Sequence, residues 1–385
     1  MLTPLVTRAF AVSLLSLLCT SCATAQLAVV AVDNKVVLDN GNTKVVANPA
    51  PDNVTVLDIS SSPPKVVGEV IAPTSVVGPP FSVAVAPDQS IALVTGAMKV
   101  DAAKNTQVPD NKLSVIDLQA RPPRVLATLE SGLGAAGVSI NKAGTLALVA
   151  NRNEGTVSIF TISGKTVTAA GKIKLGAETS GPCHVVFTPD GKRALVTRDG
   201  DHTLSLLSID GTKVESANRD FAAGLRPYGA DIAPDGAIVV VANIGRGVGD
   251  SDTVSVIDMR LQPPRTVNTI TVGPVPEGIK LSPDGKWMAV VMHYGSGRPK
   301  ESPFRTENGM VAVYAVEGTQ LRKHGEAKIG SWSQGAVFSA DSKTVLVGNM
   351  VEKDIAVYRI EASGVVDTGQ RIKVNGGPAA MRTAE

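Results

Sequence analysis

Aromatic side chains make up only 3 % of this 385-residue chain. Large rings therefore cannot fill its core, which has to be assembled from Val, Ile, Leu and Ala. Cysteine is scarcer still, present only as Cys19, Cys22 and Cys183. If the first two leave with an N-terminal leader, one thiol remains and an intrachain disulfide is excluded. The four histidines and that thiol have neither zinc-site nor haem-attachment spacing, so no metal ligands and no cofactor are expected. The chain also lacks a phosphate-cradling GxxxxGK[ST] loop, a GxSxG nucleophile elbow and a C-x-x-C-H element, which removes the chemistries those motifs support. A net charge of +2 supplies no basic field for phosphate, so no nucleic-acid partner is expected. The longest early apolar run, Ala9 to Leu18, is too short to span a bilayer, and no transmembrane segment is expected.

A repeat fills the remaining sequence. The stretch Gly181 to Asp210, GPCHVVFTPDGKRALVTRDGDHTLSLLSID, divides into a β-branched strand, a Pro-Asp-Gly turn, a second strand, a polar loop and a third strand. A weaker segment after Gly211 completes a four-stranded antiparallel meander. Counterparts of the first turn fall at Val32-Asp33-Asn34, Pro87-Asp88, Lys142-Ala143-Gly144, Pro189-Asp190-Gly191, Pro234-Asp235-Gly236, Pro283-Asp284-Gly285 and Ala340-Asp341. The third strand recurs independently from Val54, Leu113, Val157, Leu204, Val254, Val311 and Ile355. Two motifs with the same count, spaced roughly 45 to 57 residues apart, predict an all-β, seven-bladed propeller of four-stranded antiparallel blades.

Residues 1–25 read as a signal peptide. Arg8 precedes the apolar run, Ala23-Thr24-Ala25 suits a signal peptidase, and residues 26–385 form a single domain. Cleavage after Ala25 predicts a periplasmic or secreted protein and lowers the net charge from +2 to +1. The alternative is a lipoprotein anchored through Cys22. Blade one has a degenerate first turn, and the C-terminal GPAAMRTA offers an alternative inner strand, so either end can close the ring. Pro63-Pro64, Pro122-Pro123 and Pro263-Pro264 fall between third and fourth strands, where proline serves a turn. Polar insertions between second and third strands are expected in blades two (Ala97 to Asp110), five (Ile244 to Asp252) and six (Gly295 to Asn308).

The pattern PDGK, an apolar strand ending near Asn, then TVSVID, resembles the YVTN-repeat family of bacterial seven-bladed propellers over the whole mature chain. More distantly it is similar to the propeller lactonases related to 6-phosphogluconolactonase. That second resemblance implies His, Arg and Glu side chains around the central channel.

In a meander, the loops joining blades share a face with the second-to-third-strand insertions. Onto that face the sequence projects Arg152, Cys183-His184, Arg198, Arg226, Tyr228, Glu277, His293-Tyr294, Trp332 and Gln334. Two readings follow. In the first, the chain is a monomeric binding or scaffold propeller whose channel mouth holds a partner protein or small ligand through Arg152, Arg198, Arg226, Tyr228, His293 and Trp332. In the second, which the lactonase resemblance implies, His184 is a general base, Arg198 or Arg226 holds a substrate carboxylate, and Glu277 is the partner acid. Each residue also has a structural reading: His184 as an inter-blade hydrogen-bonding residue, Cys183 as a small buried apolar one, and Arg198, Arg226 and Glu277 as channel salt bridges. Convergence on one pocket separates these alternatives.

Overall fold

The computed structural model describes residues 25–385; the expected leader, apart from Ala25, lies outside the described residues. Seven four-stranded antiparallel sheets and one two-stranded hairpin account for the strands. Among the described residues no helix is long and apolar enough to cross a membrane.

The turns follow from their residues. In blade four, Asp190 accepts the Lys192 backbone N–H at 3.0 Å, and Gly191 takes the left-handed conformation at φ 68°. Asp235, Asp284 and Asp341 accept the N–H two residues on in the same way. Asp58, Asp117 and Asp258, which close third strands, do likewise at Ser60, Gln119 and Arg260. All three proline pairs sit in turns between third and fourth strands.

Blades press face to face, so their inner three strands are buried on both sides and read as continuous apolar runs; Leu146–Asn151 and Ile238–Asn243 have every residue buried. Fourth strands lie at the rim and alternate, as in Arg124–Glu130 and Arg265–Thr271. The core is a series of Val, Ile, Leu and Ala clusters between adjacent blades, as the aromatic shortage requires.

The C-terminal strand closes the ring. Gly377–Thr383 pairs antiparallel with Leu27–Asp33, giving blade one the order Gly377–Thr383, Leu27–Asp33, Asn53–Asp58, Lys65–Ile71. Val32-Asp33-Asn34 is therefore not a first turn, as the repeat count had it. It ends blade one's second strand at the opposite face, where Asp33 pairs with Lys35 at 3.0 Å and accepts Val76 N–H at 2.9 Å.

The insertions also depart from simple polar loops. In blade two the insertion continues the sheet as a ribbon, Ile91–Asp101 against Thr106–Asp117. Blade one carries an insertion that the repeat pattern did not reveal, the hairpin Val36–Asp39 and Asn42–Val45. That hairpin reaches blade six's insertion, where Asn40 accepts Lys300 N–H at 2.8 Å and donates to Glu301 at 3.1 Å. Blade five joins them, with Arg298 donating to the Gly247 carbonyl. The three insertions form a roof over one side of the channel mouth.

Candidate functional site

Every inner strand from blade three to blade seven carries a register shift at its start, for example between Pro182 and His184 and between Pro276 and Gly278. Such a bulge inserts a residue that the neighbouring strand does not match and re-aims its side chain. Cys183, Tyr228, Glu277 and Gln334 occupy the second position of these strands. The residue immediately after a second strand supplies a second tier: Arg152, Asp199 and His293.

These two tiers converge. Asp199 accepts from Arg152 at 2.7 Å and from Arg226 at 3.0 Å, so one carboxylate holds two guanidinium groups. Arg152 also donates to the Cys183 sulfur and lies 5.6 Å from the Tyr228 ring centroid. Beside them Glu277 is buried, with its carboxyl 4.0 Å from His293 Nε2, beyond hydrogen-bond range. Gln334 Nε2 lies 3.3 Å from the same imidazole nitrogen, and Gln334 Oε1 is buried without a partner. Three residues that lead into inner strands, Arg226, Val275 and Trp332, hold φ near +55°. A β-branched valine rarely adopts that conformation. A cavity of about 180 Å³ lies under the roof, lined by Leu38, Val275, His293, Arg298 and Trp332.

Burial sets the protonation states. It raises the Glu277 carboxyl to about 7, against the pull of Arg226 and Arg152, and lowers His293 to about 4, leaving a neutral imidazole at neutral pH. Burial also lifts the Cys183 thiol to about 12 in spite of Arg152, so the sulfur is a protonated thiol and not a nucleophile.

Opposite shifts on adjacent groups predict opposite pH dependences of stability. Glu277 titrates higher folded than unfolded, so the stability it contributes is complete below pH 4.5 and is lost as pH rises through about 7. His293 titrates lower folded, so its contribution is present above pH 6.5 and is lost as pH falls through about 4. Between these limits the two slopes oppose. Relative to wild type, Glu277→Gln should gain stability with rising pH and His293→Asn should lose it. Urea midpoints at about pH 4.5, 5.5 and 6.5 test this; parallel trends in the two variants would refute the assignment.

The structure does not bring His184 or Arg198 to this cluster. His184 lies deeper, at the channel waist, fully buried. Its ring stacks on Phe81 with centroids 4.0 Å apart, and its Nδ1 accepts Ala230 N–H at 3.4 Å. Burial, then Arg382 and Lys280, push its pKa well below the ordinary value. His184 follows the bulge and so points along the channel, at the position where other inner strands have Gly137, Gly229, Gly278 and Gly335.

Arg198 ends its strand where Asn151, Asn243 and Asn349 end theirs. Asn151 and Asn243 donate to Ser158 and Ser255 on the third strand at 2.9 and 3.0 Å, and Arg198 does the same to Ser205 at 2.8 Å. It also pairs with Asp201 and Asp220. Arg198 is thus a blade clamp, and Asp199, one residue on, is the mouth residue that motif reading did not assign. Its signal was register, because Asp199 follows its strand as Arg152 and His293 follow theirs. Arg198→Ala should cost roughly 2 kcal/mol, the size of a charge-assisted hydrogen bond with partly exposed partners. Thermal melting checks this.

Among the described residues no group of three or more His, Cys, Asp or Glu is placed to hold a metal ion. Neither protein-family models nor curated proteins match this chain. Solved structures do. A candidate 6-phosphogluconolactonase of Bacteroides uniformis superposes with TM-score 0.70 at 19 % identity, covering 93 % of this chain and 99 % of the other. The periplasmic gluconolactonase of Pseudomonas aeruginosa gives 0.65 at 18 %, covering 93 % and 99 %. A functionally unknown protein of Desulfotomaculum acetoxidans gives 0.67 at 16 %, covering 94 % and 99 %. At these identities the likeness is one of architecture, and the chain shares with all three the seven-bladed β-propeller fold.

Proposed function

We propose that the loop-face mouth binds and hydrolyses a small lactone, with Glu277 carrying the proton. The observation behind this reading is the clustering of Arg152, Arg226 and Asp199, paired at 2.7 and 3.0 Å, beside the Glu277–His293 pair at the channel mouth. It replaces two residues of the lactonase set expected from sequence: Glu277 takes the base role from His184, and Arg152 joins Arg226, already one of the two expected anchors, in place of Arg198. The names of two fold neighbours, a gluconolactonase and a candidate 6-phosphogluconolactonase, point the same way.

The charges suit a carbonyl that becomes an oxyanion. Two guanidiniums share the one Asp199 side chain, and with His293 neutral and Glu277 titrating near 7 the mouth has a positive surplus that falls when Glu277 ionises. The guanidiniums keep donors not taken by Asp199, and these stabilise negative charge growing on the carbonyl oxygen. Ionised Glu277 takes a proton from water, whose oxygen bonds to the carbonyl carbon. The ring C–O bond then breaks, the proton passes from Glu277 to the departing alkoxide, and a hydroxy acid results. Neutral His293 and the unpaired Gln334 oxygen supply hydrogen bonds to ring hydroxyls.

A proton-release assay against sugar and aliphatic lactones, with Glu277→Gln and His184→Ala in parallel, tests the reading. The expected result is turnover that Glu277→Gln removes and His184→Ala keeps. Saturable lactone binding without acid release would instead favour the binding propeller expected from sequence. Turnover that depends on His184 and not on Glu277 would overturn the role given to Glu277.

A further inference from the structure

The channel has a second mouth, on the face of the Pro-Asp-Gly turns, and its chemistry is unlike the first. A cavity of about 290 Å³ opens there. Its walls are apolar, formed by Val186, Ile232 and Leu281, with Pro189, Pro234 and Pro283 at the rim. Its floor is charged. Lys280, with a 9 % exposed side chain, pairs with buried Asp231 at 2.9 Å, and Arg382, with a 6 % exposed side chain, lies beside it. An apolar funnel over a few convergent charges is how small-ligand sites are built.

One carboxylate already occupies that floor. Glu385 accepts from Lys280 at 2.9 Å and from Arg382 at 3.1 Å, although 48 % of its own side chain is exposed. Asp231 is committed to Lys280 and to the Leu281 N–H at 2.7 Å and is not paired with Arg382. Among the described residues Glu385 is the only carboxylate paired with Arg382. Without it the guanidinium would face the Phe81 ring, 4.2 Å away, and the His184 ring nitrogen at 3.5 Å. A buried cation left in that state is costly, and it will take a replacement anion.

We infer that the turn-face cavity is a binding site for an organic monocarboxylate with an apolar body, whose head group displaces Glu385 from Lys280 and Arg382. The head takes the two positions that Glu385 now fills, and the body lies against Val186, Ile232 and Leu281. A neutral molecule of the same shape cannot replace the anion. Phe81 and His184 stand between this site and the loop-face mouth, so the inference is independent of the lactone reading.

Isothermal titration of the whole protein with octanoate at neutral pH tests this, with octanamide as the neutral counterpart. Octanoate should bind saturably, and Glu385→Ala should tighten it by about tenfold because the intramolecular competitor is gone. Octanamide should not bind, Arg382→Met should lose octanoate, and Glu277→Gln should leave octanoate binding unchanged. Lys280→Gln provides a second disabling variant if Arg382→Met does not fold by circular dichroism. Three results would each overturn the inference: no saturable octanoate binding to wild type or Glu385→Ala, equal binding of octanamide, or octanoate binding that follows Glu277 instead of Arg382.

Discussion

Replacing Glu277 by Gln is expected to reduce lactone turnover by roughly 10²–10⁴-fold, the range set by loss of a general base, with a much smaller change in KM. The amide keeps the shape and burial of the side chain and removes only its capacity to take a proton. The pH profile gives an independent check. In the proposed reaction the ionised form of Glu277 is the base, so wild-type kcat/KM should rise with pH through about 7 and then level off. Residual activity of the variant should lack that rise. A profile flat across neutral pH, or a Glu277→Gln variant with wild-type turnover, would remove this carboxylate from the reaction. Circular dichroism and melting of the variant separate lost chemistry from lost fold.

Deleting Gly377–Glu385 is expected to abolish cooperative folding. That segment is the inner strand of blade one, with all of Gly377–Thr383 buried, and it places Ala380 and Met381 in the clusters on either side of the blade. Its loss leaves Leu27–Asp33 as a buried strand with one unpaired edge. The apolar and hydrogen-bond losses together are comparable with the roughly 5–15 kcal/mol that stabilise a typical domain. A truncated chain that stays monomeric on size exclusion and melts in one sharp transition would contradict this. A peptide of residues 377–385 added in trans should restore part of the transition, as strand addition to an open edge does.

The contrast between Arg198 and Asp199 illustrates what the sequence made legible. The blades were readable because their signals are local: β-branched strands, Asp-capped turns, and glycine where φ turns positive. The mouth was readable only to within a residue or two. Arg198 and His184 have the right chemistry close to the mouth, but a strand end and a bulge turn them elsewhere, and Cys183 and Asp199 meet Arg152 instead. Bulges arise from pairing with the neighbouring strand and leave little trace in one segment's composition. Aligning the seven repeats by strand end, and not by motif, would have exposed Asp199 as the partner of Arg152. Ring closure stayed open between two alternatives, because it depends on strands at opposite ends of the sequence meeting, and the docking of the blade-one hairpin on blade six was hidden because it too is long-range.

The roof also bears on when the mouth is assembled. Its blade-one hairpin is carried by a blade whose inner strand is Gly377–Thr383 and whose second strand is Leu27–Asp33, and it meets blade six through Asn40 and Lys300. The roof beside His293 is therefore complete only after Gly377–Thr383 has docked on Leu27–Asp33. A polypeptide with six blades formed would still lack the finished roof. If the proposed reaction holds, turnover should thus begin in a single late folding step, and its onset would serve as a clock for completion of the circle.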